Sequence, residues 1–107
     1  MAGYIPWYGK KREHLMEHER EFVALLQSGA DSLKVAEGAE EVRALQVRAL
    51  KSTRAELPPS ERNATAVANL EREIAFWLAL SVEEIIDGYR TLKLKGYRAR
   101  AVRRATR

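Results

Sequence analysis

The stretch "IAFWLALSVEEII", residues 74–86, decides how this chain folds. A helix carried through Ile74 to Val82 would be apolar on every side. Such a helix is either centrally buried or a surface for self-association. A third solution is to end the helix near Leu80. Ser81 and Glu84 have the S-x-x-E spacing of a capping box, in which each side chain satisfies the other's free backbone N–H. Ile85 and Ile86 follow at once, so the spacing predicts a new short helix over 82–90 rather than one long rod.

Working outward, the same logic assigns the rest of the chain to helices. No stretch shows the alternation of β-branched residues that a half-buried strand needs. Upstream, "LPPS" at 57–60 separates two helices, since Pro58 disfavours a helical Leu57 and Pro59 lacks a donor. The helix after it starts near Ser60 or Glu61, with Val67, Leu70, Ile74, Trp77 and Leu78 as its apolar stripe. The helix before it is capped by Asp31 or Ser32 and runs to about Glu56, with Val35, Val42, Leu45 and Ala49 inward. Gly38 weakens that helix by about 1 kcal/mol relative to Ala and is a candidate break. A first helix spans about Lys11 to Ser28, on Leu15, Phe22, Leu25 and Leu26. Gly29 supplies its left-handed stop.

The expected fold is all-α, an antiparallel bundle of three main helices plus a short helix and a basic C-terminal helix. Residues 1–9 form an extended aromatic arm, 10–90 the bundle and 91–107 the basic helix, packed on the bundle or extending from it. Pro6 and Gly9 oppose regular structure in the arm. Its Tyr4, Trp7 and Tyr8 either cover an open end of the core or anchor another chain. Phe76, Trp77 and Leu80 are the matching candidates for a protein interface on the bundle.

Charge supplies the functional signal. The net charge is +4, with 32% charged and 46% hydrophobic residues, a composition that argues against disorder. Residues 1–89 carry 11 Lys/Arg and 15 Asp/Glu, whereas 90–107 carry eight Lys/Arg and no acid. The partner of such an end is a polyanion or an acidic protein surface. Taken as a helix, the tail places Tyr97, Ala101 and Ala105 within about 60° of Leu94, a narrow packing face. Lys93, Arg100, Arg103, Arg104 and Arg107 share an arc at roughly 180° to 280°, with Lys95 and Arg98 beside the apolar stripe. Arginine predominates, and its planar guanidinium suits bidentate contact with phosphate and guanine edges.

Other chemistries find less support. With no cysteine there is no disulfide, thiol nucleophile or Cys-based zinc site. "HLMEH" at 14–18 has the H-x-x-E-H spacing of inverted zinc peptidases. Such enzymes need a third ligand and a large cleft. His14 and His18 therefore read as helix-surface residues, with adventitious metal binding as the alternative. Neither a phosphate loop nor a nucleophile elbow is present. We expect no enzyme activity, no cofactor and no small-molecule substrate. "IAFWLALSV", 74–82, is too short to cross a bilayer, and the tail's apolar face lacks the bulky side chains of membrane-surface helices. No export signal is evident, which makes the cytoplasm the expected location.

Residues 80–105, "LSVEEIIDGYRTLKLKGYRARAVRRA", resemble the C-terminal half of a bacterial family of small antitoxin-like domains of unknown function. Ser81, Glu83, Glu84, Ile85, Tyr89 and Leu92 match its pattern, as do small residues near Ala99 and Ala101. Arg90 stands where that family has proline, Lys95–Gly96 replaces an acidic pair, and the family's β-rich half is absent. The resemblance implies a helix-turn-helix in which the 82–90 helix supports and the next helix meets DNA. Placing Gly88 in a compact turn, however, would put Glu83 at a buried position. Any such unit therefore has a longer turn. Nucleic acid is the expected partner; a homo-oligomer or larger assembly, for example viral, is the alternative.

Overall fold

The computed structural model describes residues 12–91. Among the described residues the chain is helical throughout, with no strand. A 3-10 turn at Arg12–His14 precedes α1 (Glu17–Gln27). α2 (Ser32–Glu56) follows, then a 3-10 turn at Glu61–Asn63, α3 (Ala64–Ala79) and α4 (Val82–Thr91). The result is the expected all-α bundle. α2 is its central member and touches the other three helices, while α1 and α4 also touch each other.

The helix ends are made by local hydrogen bonds. The helix does stop short of Ser81: the backbone becomes extended at Leu80, φ −68° and ψ 137°. The capping box then forms in full. Glu84 N–H donates to Ser81 Oγ at 3.1 Å, and Ser81 N–H donates to Glu84 Oε1 at 3.0 Å. Asp31 caps α2 by accepting from Lys34 N–H at 2.9 Å. Gly29 ends the first turn region at φ 75°, a conformation that side-chain-bearing residues rarely adopt. Ser60 Oγ accepts from Asn63 N–H at 3.3 Å and opens the turn into α3.

Two features differ from the sequence reading. α1 begins at Glu17, later than the expected start, which itself lies outside the described residues. The backbone is extended at Met16, ψ 165°, and the Glu19 carboxylate accepts from Met16 N–H at 3.0 Å. Glu19 thereby restarts the helix and separates it from the 3-10 turn. Gly38 does not break α2. It lies where α1 crosses: a Cβ there would stand 3.0 Å from Leu25 Cδ2 and from Phe22 Cδ1. Absence of a side chain sets the α1–α2 spacing. As expected for the short helix over 82–90, Gly88 lies inside α4, where it is buried, and Glu83 is exposed.

The core gathers Phe22 from α1, Ala39, Val42, Val47 and Leu50 from α2, Ile74, Phe76 and Trp77 from α3, and Ile85 and Tyr89 from α4. Leu15 and Leu80 join it from the connections. Phe22 and Tyr89 meet edge to face, centroids 5.5 Å apart at 86°, the arrangement that aromatic quadrupoles favour. α2 uses Ala39, Gln46 and Leu50 inward, while Leu45 and Ala49 are only partly buried. Trp77 is fully enclosed, 0% exposed, whereas its neighbour Leu78 is 59% exposed, although both fall on one sequence stripe.

Candidate protein and nucleic-acid contact surfaces

The tail cations Lys93, Lys95, Arg98, Arg100, Arg103, Arg104 and Arg107 lie outside the described residues, as do Tyr4, Trp7 and Tyr8. The described body, residues 12–91, holds ten Lys/Arg and all fifteen Asp/Glu of the chain. Seven Lys/Arg and no acid remain for residues 92–107. The acidic character therefore belongs to the bundle.

Phe76, Trp77 and Leu80, expected as contact residues, are core side chains in this fold. All three belong to the shared core cluster of the bundle. Of that stretch, Leu78 faces outward. It borders a groove of about 720 Å³ lined by Glu40, Arg43, Ala44, Val47, Arg48, Lys51 and Ser52 of α2. The groove is fastened by Arg43. Its guanidinium donates to Trp77 O and Leu78 O, both at 3.2 Å, and to Glu40 Oε1 at 3.4 Å. A cation here satisfies carbonyls that the last turn of α3 leaves unpaired and meets the negative end of its dipole. Arg43 Nε is buried without a hydrogen-bond partner. Arg54 reaches Glu71 across α2 and α3 at 3.9 Å, both partly or wholly in solvent, a pair worth little to stability.

A smaller cleft of about 200 Å³ opens over the α1–α2 crossing, with His18, Glu21 and Glu41 at its rim and Phe22, Leu25, Val42 and Leu45 within. His18 Nε2 lies 3.1 Å from Gln46 Oε1, a hydrogen bond that needs the ring proton on Nε2. Gln46 Nε2 is buried without a partner. His14 lies in the 3-10 turn and His18 in α1, so the helical i, i+4 geometry of a two-histidine metal site does not arise. Among the described residues no group of three His, Asp or Glu is placed to hold a metal ion.

A buried polar connection joins α1 to α4. The Tyr89 hydroxyl donates to Glu19 Oε2, and Glu19 Oε1 accepts from Met16 N–H. Glu19, Gln46 and Tyr89 are all fully enclosed. Glu19 looks like one member of a solvated acidic run, and Met16, three residues before it, carries no capping signature that would mark it. No helix among the described residues is long and apolar enough to cross a membrane. No family model, curated protein or solved structure matches this chain.

Proposed function

We propose that this chain is a non-enzymatic, cytoplasmic nucleic-acid-binding protein that contacts phosphates through the cations of residues 93–107. The observation that carries this reading is the division of charge. Every acid of the chain lies in the bundle, and the final sixteen residues hold seven cations with none to neutralise them. The outer face of α4 presents Glu83, Asp87 and Arg90, net negative until its last turn, which favours phosphate contacts beyond Asp87. That matches the support-and-recognition division implied by the antitoxin-like resemblance. Lys93, Arg100, Arg103, Arg104 and Arg107 are the principal contacts, with Lys95 and Arg98 beside them.

A salt titration on duplex DNA tests this. Neutralising about five phosphates gives a slope of log K against log salt of about −4 to −5. Arg103→Glu combined with Arg104→Glu removes binding. No binding by the parent protein at low ionic strength overturns the reading. A second reading, a structural subunit of a protein assembly, is favoured by the exposure of Leu33 and Leu78. Under it the same charge reversal disrupts assembly and leaves no nucleic-acid signal to lose.

A further inference from the structure

α2 has two opposite faces. Val35, Ala39, Val42, Gln46 and Leu50 point into the core, and Val47 is buried at the edge of the groove. With Ala44 as the reference, Leu33, Glu37, Glu40, Arg48, Lys51 and Ala55 lie within about 40° of it on either side. All of them, and Ala44 itself, are exposed. α3 borders this face through Leu78, and α1 lies beyond Glu41 on the other side. The order along the strip is antisymmetric. Glu40 and Glu37 stand four and seven residues before Ala44; Arg48 and Lys51 stand four and seven after it. Leu33 and Ala55 close the strip eleven residues out on either side.

We propose that this face is the interface of an antiparallel homodimer whose two-fold axis passes Ala44. A two-fold operation makes a surface meet itself in reverse order. Glu37 then faces the partner's Lys51, Glu40 faces the partner's Arg48, and Leu33 lies over the partner's Ala55. Ala44 meets the partner's Ala44, where a small side chain lets the helices approach. Leu78 borders the same groove, so both copies bring it beside the axis. Leu33 and Leu78, 69% and 59% exposed, are the two most exposed large hydrophobic residues of the described part. The dimer covers both.

The monomer leaves these charges available. Among the described residues, Glu37, Arg48 and Lys51 have no ion pair. Glu40 spends one carboxylate oxygen on Arg43 at 3.4 Å and keeps the other. Acids early and bases late in a helix also suit its macrodipole. That accounts for the polarity of the strip, but not for the equal spacing about Ala44 or for Leu33 and Leu78. A polyanion fits poorly, because Glu37 and Glu40 offset Arg48 and Lys51. An acidic peptide meets the same two carboxylates. The inference stands apart from the nucleic-acid reading, which concerns other residues.

The test uses full-length, nuclease-treated protein in sedimentation equilibrium. The parent should dimerise with concentration, more weakly in high salt. One variant carries Glu37→Lys and Glu40→Lys, the other Arg48→Glu and Lys51→Glu. Each alone opposes like charges, and its dimer dissociation constant should rise about tenfold or more. Mixed in equal amounts, the two should form a heterodimer, since every facing pair is then opposite in sign. Ala44→Arg places bulk on the axis at an exposed helical position and should give a monomer whose melting curve matches that of the parent at protein concentrations below the dimer dissociation constant. A parent that stays monomeric up to about 1 mM overturns the proposal. So does undiminished association in the Ala44→Arg protein, whatever the charge variants do, or a mixture that fails to pair.

Discussion

The hydroxyl of Tyr89 on α4 donates to the carboxylate of Glu19 on α1, joining residues 70 positions apart. The same carboxylate caps α1 through Met16 N–H. One acid therefore starts a helix and ties it to the last helix of the bundle. Burial makes the arrangement costly to disturb, because a buried carboxylate that loses a donor recovers no water in exchange.

Tyr89→Phe tests that link. The ring and its edge-to-face contact with Phe22 remain, and only the donor is lost. The expected cost is about 1–3 kcal/mol, which lowers the melting temperature by about 4–8 °C per kcal/mol for a domain this small. A variant that melts with the parent shows that the bond contributes nothing.

Ser81→Ala tests the α3–α4 boundary. It removes the acceptor of Glu84 N–H and leaves Glu84 to cap alone. Loss of an N-cap costs about 0.5–2 kcal/mol. Chemical denaturation should show an earlier midpoint with an unchanged slope. Ser81→Asp, which keeps an acceptor at the cap, should recover most of the loss.

Gly38→Ala sets helix propensity against packing. Propensity favours alanine by about 1 kcal/mol. The new methyl, however, would sit 3.0 Å from both Leu25 Cδ2 and Phe22 Cδ1. Leu25 is half-buried and can give way, but Phe22 is held against Tyr89. Overpacking costs about 1–3 kcal/mol, so the net effect is destabilising by about 1 kcal/mol. A rise in melting temperature would show that α1 moves aside freely.

Trp77→Ala and Leu78→Ala, adjacent in sequence, should differ sharply. The first removes the largest fully buried side chain of the core, costing about 3–5 kcal/mol out of a total of about 5–15 kcal/mol. The second trims an exposed side chain and should stay within about 0.5 kcal/mol in monomer stability. Denaturant titrations at low protein concentration compare the two directly. Similar losses at both sites would contradict the inward turn of Trp77 and the outward turn of Leu78.

Most of the helical layout was legible in the residues. Asp31, Ser60, Ser81 with Glu84, and Gly29 each mark a boundary that the structure contains. The start of α1 at Glu17 was not legible because Met16 resembles no capping residue, and its partner Glu19 sits in a run of acids. Gly38 was ambiguous: a glycine that weakens a helix and one that admits a neighbouring helix look the same along the chain. Phe76, Trp77 and Leu80 could be read as interface because nothing local says which side of an apolar stretch faces α2. The self-complementary strip on α2 was written in the sequence throughout. It acquires meaning once the opposite side of that helix is known to be buried.

The sequence by itself determined the helical class, most helix ends and the separation of an acidic bundle from a cationic tail. These depend on interactions that span three or four residues, or on composition alone. The tertiary structure decided which polar groups are enclosed and how adjacent apolar residues divide between core and surface. Gln46 meets His18 across 28 residues and Glu19 meets Tyr89 across 70, separations at which no local pattern records a pairing. From Ile74 to Leu80 the helix is apolar all round, so its periodicity has strength but no direction. Only the seat of α3 against α2 places Trp77 within and leaves Leu78 for another surface.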